Sequence, residues 1–286
     1  FKPITVAAAL DAGTITDLRR RWPATPLHVG RFTIHDLHNY GSSLNVLETL
    51  IHSSNTVTAH IADELGGARL KKTMESLAMN QRPYVELPAR GFPLWPRGEW
   101  PRLRTMTVAY GHGIAVTPLH LASAYASLVN GGIWRPATLK KLEPSQVPDG
   151  RRVFTAATSA RMRQLLRMIV SYGTGRKADA PGFRVGGKTG SAEKPGAGGY
   201  RKHSLVATFA AAFPMDRPRY VVIAMMDEPQ GTEATSFQRT AAWNAAPVIQ
   251  RVVPRIGPLL GVMPDETRDI DISDLKPLIP AGTAEE

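Results

Sequence analysis

The sequence predicts an α+β fold in which helices come first and an antiparallel sheet, flanked by helices, comes last. Two observations predict it. Apolar residues recur at helical spacing in several segments of residues 42–170, and three β-prone runs then follow one another with only short breaks. The three runs are residues 184–193, 205–213 and 220–226.

Capping residues and breakers predict where the helices begin and end. The first is Ala-rich and apolar, and Pro3 is tolerated because it lies so near the start. The second has serines available as a cap, and the fifth begins with Thr117 as a cap and Pro118 at the first position. The predicted helices are residues 1–10, 42–51, 57–65, 69–79, 117–129, 158–170 and 241–253.

Three segments lack a clear period. Residues 14–41 contain proline and glycine breakers and are predicted to be irregular, with short β-like pieces around residues 27–34. Residues 81–101 form a loop rich in proline and tryptophan, and loops of that length within a domain are often functional. Residues 261–286 are polar and carry prolines, so we expect a loosely packed or disordered C-terminal tail.

Composition limits the classes of function. The chain has 286 residues and a net charge of +11, so its surface should attract anions. The basic residues are scattered and no nucleic-acid motif is present, so nucleic acid is not an expected partner. The lack of cysteine excludes disulfides, thiolate catalysis and cysteine-ligated zinc. His35 and His38 lack a third ligand at metal-binding spacing, so we expect no metal and no cofactor.

The stretch with the most chemistry is residues 185–193. Lys188 supplies a positive charge, and the hydroxyls of Thr189 and Ser191 can hydrogen-bond carboxylate oxygens. Gly187 and Gly190 remove side chains where a substrate backbone could come close. This combination predicts a site for a small carboxylate. The alternative is a glycine-rich hairpin with a solvated lysine.

Two further motifs accompany it. Ser53-Ser54-Asn55 lies at the junction between two predicted helices, and Phe1-Lys2-Pro3 opens the chain. Each motif also has a purely structural interpretation, with Lys2 as an ordinary helix lysine and Ser53 as a helix cap.

Together the motifs resemble the superfamily of penicillin-binding proteins and serine β-lactamases, whose motif set is Ser-x-x-Lys, Ser-x-Asn and Lys-Thr-Gly. Further segments resemble the class B penicillin-binding proteins, and within them the division-specific transpeptidases. They are residues 110–119, 124–132, 187–192, 219–222 and 227–229. The resemblance implies a transpeptidase domain over residues 1–260, with its early strands, pedestal domain and anchor upstream of Phe1, and residues 261–286 as a tail.

The resemblance also implies a role for each matching residue. The nucleophilic serine would lie two residues before Phe1, and Lys2 would take its proton. Ser53 would relay a proton to the leaving group, and Asn55 would hold the amide of the donor peptide. Lys188 would keep the site positive, while Thr189, Gly190 and Ser191 would bind the terminal carboxylate.

By this resemblance the chain is expected to cross-link peptidoglycan stem peptides during septal wall synthesis and to be acylated by β-lactams. The expected location is the periplasmic face of the bacterial inner membrane, with a membrane glycosyltransferase and other division proteins as partners. Two alternatives stay open: a serine β-lactamase, and a catalytically inactive module that binds peptidoglycan or β-lactams.

Overall fold

The structure is a computed structural model that describes residues 1–196 and 199–279. The chain divides into two compact units, Phe1–Met162 and a second unit that begins at Arg163. The boundary falls inside a long helix, Ala156–Tyr172. In the described ranges no helix combines the length and apolar character that a membrane span needs.

The order of elements confirms the α+β prediction, because helices dominate the first unit and the largest sheet lies in the second. The helices are α1 (Lys2–Asp11), α2 (Val46–His52), α3 (Asn55–Leu65), α4 (Gly67–Ser76), α5 (Arg102–Ala109), α6 (Pro118–Val129), α7 (Ala156–Tyr172) and α8 (Ala245–Leu259). The strands are β1 (Arg21–Pro23), β2 (Leu27–Val29), β3 (Phe32–Ile34), β4 (Ser43–Asn45), β5 (Ile133–Trp134), β6 (Arg151–Arg152), β7 (Gly186–Gly196), β8 (Gly199–Phe213) and β9 (Tyr220–Asp227).

In the first unit, α1 and α3 form the centre of a helical core. Side chains from Pro3 to Ala9 are all buried, which is the expected environment for a helix that is apolar on every side. α1 packs against α3, α4 and α6, and α3 packs against α4 and α5. The Thr5 hydroxyl donates to the carbonyl of Ala109, 2.8 Å away, and this bond ties α1 to the end of α5. The position of Lys2 is therefore fixed by a buried helix.

The junction between α2 and α3 differs from the prediction in its caps. Asn45, and not a serine, caps α2: it forms a capping box with Glu48, in which each residue's side chain bonds the other's backbone N–H. The segment 43–45, predicted as helix start, instead forms β4, which pairs with β1. α3 begins at Asn55, two residues before the predicted start, because Ser54 is its N-cap.

The region around the long loop was only partly predicted. Residues 81–101 contain no helix and no named strand, as expected, and a single bridge joins Leu94 to Ala115. The helix that follows, α5, was not predicted. It is eight residues long and begins after Pro101 without a side-chain cap, so neither period nor cap marked it.

The second unit is built on a three-stranded antiparallel sheet of order β7-β8-β9, as predicted. Lys188 pairs with Ala210 and Thr189 with Phe209, so the Lys-Thr-Gly sequence lies on an edge strand of this sheet. α8 packs against β8 and β9. The core between them includes the buried side chains of Phe209, Phe213, Ile249 and Val253.

The expected loose packing of the C-terminal segment is wrong for residues 261–279. Val262 and Leu275 are buried. The carboxylate of Asp269 pairs with Arg167, whose Nη2 lies 2.7 Å away, and the backbone N–H of Asp265 donates to the carbonyl of Gly182. Two buried apolar side chains, an ion pair and a backbone hydrogen bond hold this segment in place, although its apolar residues follow no regular period. Residues 280–286 of the predicted tail lie outside the described residues.

Candidate active site

The predicted site residues form two groups, one in each unit. The Lys2 cluster, in the first unit, contains Lys2, Asp36, Ser53, Ser54 and Asn55. The Lys188 cluster, in the second unit, contains Thr174, Lys188, Thr189, Gly190 and Ser191. Each cluster holds residues that the sequence analysis named and one or more that it did not.

The structure brings Lys2 and Ser53 together. Lys2 is the first residue of α1, and its Nζ lies 3.0 Å from Ser53 Oγ and donates to it. Burial lowers the pKa of Lys2 from 10.5 to about 8, and the negative charge of Asp36 acts weakly in the opposite direction. An amine with this pKa is unprotonated in a sizeable fraction of molecules near neutral pH, so it can act as a general base.

The backbone at Ser53 explains why its hydroxyl reaches Lys2. Ser53 ends α2 in the left-handed conformation, with φ 60° and ψ 41°. Non-glycine residues adopt this region infrequently, and it costs about 1 kcal/mol or more. Two residues, Ser53 and Ser54, separate the end of α2 from the start of α3. Ser53 is thus the C-cap residue of α2 through its backbone and a partner of Lys2 through its side chain, while the side-chain cap of α3 is Ser54.

Asp36 organises the start of α3, and sequence reasoning missed it. Its Oδ2 accepts from Ser54 Oγ at 2.6 Å, and its Oδ1 accepts from the backbone N–H of Asn55 at 2.5 Å and of Thr56 at 3.0 Å. A carboxylate at a helix N-terminus is favoured by the unpaired N–H groups and the helix dipole. Nothing local in the sequence marks Asp36, because these contacts bridge 18 to 20 positions.

Asn55 is half-buried at the first turn of α3. Its side-chain nitrogen donates to the carbonyl of His35 over a long 3.4 Å. In the described part of the chain its Oδ1 accepts no hydrogen bond, so that oxygen is available to a ligand. An amide in this state can hold a peptide N–H.

In the second unit, Lys188 is almost fully buried on β7, with 4% of its surface exposed. Its Nζ donates to the carbonyl of Thr189 at 3.1 Å and to the hydroxyl of Thr189 at 3.0 Å. A buried ammonium needs such partners, since leaving it without them costs several kcal/mol. The charge of Lys188 is therefore held next to the hydroxyl that the sequence assigned to carboxylate binding.

The hydroxyls of Thr189 and Ser191 both have hydrogen-bond partners, and that of Ser191 keeps an unused hydrogen. Thr189 Oγ1 lies 2.9 Å from the hydroxyl of Thr174, which follows α7 and was not predicted as a site residue. Ser191 Oγ accepts from the backbone N–H of Ala241 at 2.9 Å, so its own hydrogen is not used in that bond. Both residues lie on the same face of β7, because they are two positions apart. Two hydroxyls on one face, beside a cation, can bind a carboxylate.

Gly187 and Gly190 are glycines for different reasons. The single explanation that the sequence analysis gave for both, room for a substrate backbone, is therefore corrected for Gly187. A Cβ at Gly187 would collide with the carbonyl oxygen of Ala210 and lie 2.6 Å from Phe209 Cε1, so packing within the sheet explains this glycine. A Cβ at Gly190 would meet nothing closer than the Thr208 oxygen at 3.9 Å. Only Gly190, which is exposed, leaves open space on the strand.

Among the residues that the structure describes, no group of three or more histidine or carboxylate side chains is arranged to hold a metal ion.

Comparison with known proteins agrees with these features. The family model described as "Penicillin binding protein transpeptidase domain" matches residues 1–249. The chain is 42% identical over 271 residues to the probable peptidoglycan D,D-transpeptidase FtsI of Caulobacter vibrioides, covering 92% of this chain and 46% of that protein. It is 31% identical over 268 residues to the probable peptidoglycan D,D-transpeptidase PenA of Neisseria gonorrhoeae, covering 92% and 44%.

A solved structure matches in fold as well. The apo transpeptidase domain of penicillin-binding protein 3 from Burkholderia pseudomallei superimposes with a TM-score of 0.84 at 30% identity, covering 92% of this chain and 79% of that one. The chain spans less than half the length of the two curated relatives. Because the family model spans most of the sequence, the chain belongs to the transpeptidase-domain family of the penicillin-binding proteins, in the class B branch that its motifs predicted.

Proposed function

We propose that this chain is the catalytic part of a serine D,D-transpeptidase, which cross-links peptidoglycan stem peptides through an acyl-enzyme and is acylated by β-lactams. The observation that carries the proposal is the 3.0 Å contact between Lys2 Nζ and Ser53 Oγ, together with the pKa of Lys2, lowered to about 8. An amine whose pKa lies near neutral pH and which contacts a serine hydroxyl provides a path for a proton. A lysine with a merely structural role does not need such a path.

In the proposed first step, a serine two residues before Phe1 attacks the carbonyl of the penultimate D-alanine. In a helix that continues before Phe1, a residue three positions before Lys2 shares the face of Lys2. As the new C–O bond forms, the hydroxyl proton passes to Lys2 Nζ. It then moves through Ser53 Oγ to the nitrogen of the departing D-alanine as the C–N bond breaks. The product is an ester between the donor peptide and the enzyme.

In the second step an acceptor amine attacks that ester. The amine gives up a proton through the same Ser53 and Lys2 path, the C–O bond breaks, and the serine regains its hydrogen. A new peptide bond joins the two stem peptides. The balance of the two steps needs no external oxidant, reductant or cofactor.

The Lys188 cluster is proposed to hold the donor peptide. Lys188 attracts its terminal carboxylate, and the hydroxyls of Thr189 and Ser191 bind the carboxylate oxygens. Gly190 leaves room for the peptide backbone along β7. The backbone N–H of Ser191, with that of the nucleophilic serine, is proposed as the oxyanion hole, and Asn55 Oδ1 accepts from the donor amide.

The wider biology is proposed from the relatives. The resemblance to the division-specific class B enzymes and to FtsI supports a role in septal wall synthesis at the periplasmic face of the inner membrane, with an anchor upstream and with a membrane glycosyltransferase and other division proteins as partners. The family match over residues 1–249 supports a transpeptidase domain of residues 1–260, followed by a C-terminal tail of residues 261–286.

The test is the intact mass of the longer polypeptide that contains this chain, measured before and after benzylpenicillin. We expect one stable adduct on the serine before Phe1. Lys2→Ala should slow acylation by at least about a hundredfold, in line with the usual contribution of a general base. Lys72→Ala, which removes an exposed lysine on α4, should leave the rate unchanged.

Other outcomes reject the proposal in different ways. Rapid release of the adduct means a β-lactamase. No adduct on a folded polypeptide means an inactive module that binds peptidoglycan or β-lactams. Equal rates for the Lys2→Ala and unmodified proteins would remove Lys2 from the proton path.

A further inference from the structure

The second unit contains an open cleft of about 630 Å³ that includes none of the proposed catalytic residues. Its walls are the turn between β8 and β9, residues 214–219, and the segment that follows α8, residues 261–268. Basic and apolar residues both line the cleft, and each group constrains what it could bind.

Four arginines line the cleft, and two of them are neutralised. Arg184 is buried, and its Nε lies 2.7 Å from Asp216 Oδ1. Arg268 lies 3.4 Å from the other oxygen of Asp216 and 3.1 Å from Asp265. Two guanidinium groups and two carboxylates therefore form a network with no net charge.

The other two arginines supply a surplus of positive charge. Arg217 and Arg219 are both exposed. Arg219 lies over the ring of Tyr220 and makes only a long 3.5 Å hydrogen bond to the carbonyl of Gly261. In the part of the chain that the structure describes, no carboxylate pairs with Arg217 or Arg219. The cleft therefore carries two positive charges in excess.

Part of the lining is apolar. Val262, Met263 and Pro264 contribute to it, and Met263 is 66% exposed. A cleft lined by the two surplus guanidinium groups and by aliphatic side chains suits a ligand with an anionic head and an apolar body.

We propose that this cleft binds the phosphate group of a phosphate monoester, with Arg217 and Arg219 as the binding residues and Met263 against the apolar part of the ligand. A phosphate monoester carries a charge of about −1.5 to −2 at pH 7, which matches the surplus. Guanidinium groups bind phosphate oxygens with two parallel hydrogen bonds. The same chemistry is offered by a soluble phosphate ester and by a lipid headgroup.

Calorimetric titration and vesicle binding of the full chain at low ionic strength separate the two sources. The soluble probe is phenyl phosphate, a phosphate monoester with an apolar ring. The lipid probe is vesicles of phosphatidylcholine with and without phosphatidic acid, compared by co-sedimentation. Binding of phenyl phosphate identifies a site for soluble esters, and binding only to vesicles with phosphatidic acid identifies a lipid site.

The variants are chosen to remove charge equally in two places. R217Q/R219Q should weaken binding by about tenfold or more, the usual effect of losing charged hydrogen bonds. K140Q/K141Q, which removes the same charge from exposed lysines elsewhere, should weaken it by less than about twofold. Thermal unfolding checks that each variant is folded. R217Q alone serves if the double variant is not, because the Arg217 side chain makes no hydrogen bond or ion pair within the described residues.

Two results would overturn the proposal. One is that neither probe binds the unmodified chain. The other is that K140Q/K141Q reduces binding as much as R217Q/R219Q does, since that would mean attraction by the net charge of +11 and no site at the cleft.

Discussion

Two adjacent serines at the junction of α2 and α3 have opposite surroundings. Ser53 is half-buried, has a positive φ, and contacts Lys2. Ser54 is fully buried, caps α3 through the backbone N–H of Val57, and donates to Asp36. Of these two neighbours, Ser53 is therefore placed to relay a proton, and Ser54 stabilises the start of α3.

We expect alanine substitutions at these serines to have different effects. Ser54→Ala removes a cap and a buried hydrogen bond to a carboxylate, so the free energy of unfolding should fall by about 1–3 kcal/mol. Ser53→Ala removes the hydroxyl that accepts from the Lys2 amine, so the free energy of unfolding should fall by about 1 kcal/mol, and acylation by penicillin should slow as well. Urea unfolding and labelling kinetics measure the two effects. If Ser53→Ala acylates at the normal rate, Ser53 is a helix cap and nothing more.

The charge of Asp36 gives a prediction for pH. Protonated Lys2 cannot accept the serine proton, so the acylation rate should rise with pH through an inflection near about 8, the pKa of Lys2. Asp36 raises that pKa, so Asp36→Asn should move the inflection to lower pH. The amide is isosteric and its oxygen can still accept from the N–H groups of Asn55 and Thr56.

The pH profile of penicillin acylation checks this. Asp149→Asn is the control, since Asp149 is exposed and is not among the causes that shift the pKa of Lys2. An inflection that stays in place, or rises, in Asp36→Asn would contradict the electrostatic role assigned to Asp36.

At the scale of one strand, β7 combines a packing position, Gly187, with a proposed binding position, Gly190, three residues further on. Gly187→Ala should lower the free energy of unfolding by about 1–3 kcal/mol, because its Cβ would press on Ala210 and Phe209 of β8 and force the strands apart. Gly190→Ala should stay within about 0.5 kcal/mol of the unmodified protein and still slow acylation, because the new methyl group would occupy the proposed path of the donor peptide.

Thermal or urea unfolding with labelling kinetics distinguishes the two positions. A Gly190→Ala protein that acylates at the normal rate would mean that the peptide backbone does not lie against Gly190. A Gly187→Ala protein of normal stability would mean that β7 and β8 can separate without cost.

The elements that the sequence predicted best carry their own local signals. α6 begins at Thr117 and Pro118, where cap and proline mark the start, and the three strands of the main sheet follow β-prone runs. α2 was placed too early, because Ser43 pairs in β4 and Asn45 provides the cap. α5 was missed because it is short, uncapped and preceded by an irregular loop.

At the site too, the sequence could identify only residues that carry a local signal. Lys2, Ser53 and Lys188 belong to motifs with a fixed spacing, so the sequence could name them. Asp36 and Thr174 act only through contacts with residues far along the chain, and neither lies in a recognisable pattern. Their roles follow from how the loops fold back, which periodicity and capping do not describe.

At the scale of the whole molecule, the ordered body extends past α8. Leu275 is fully buried, although it lies in a segment without apolar period. Leu275→Ala should therefore lower the free energy of unfolding by about 2–5 kcal/mol, as for other buried leucines. Leu259→Ala, at a position that is 86% exposed, should have an effect below about 0.5 kcal/mol. Equal effects in chemical unfolding would mean that residues 261–279 do not contribute to the fold.

The way Lys188 is held has a consequence for how the site could adapt to different ligands. Its ammonium bonds the carbonyl and the hydroxyl of the next residue, and both belong to the strand that carries it. Because these two bonds join the ammonium to the next residue of β7, a displacement of β7 would move the charge together with Thr189. A bulky ligand that pushes on this strand would shift the cation and the hydroxyl as one rigid piece and leave their spacing unchanged. Tolerance to ligand size would then depend on the stiffness of the sheet, and not on the rotamers of the binding residues.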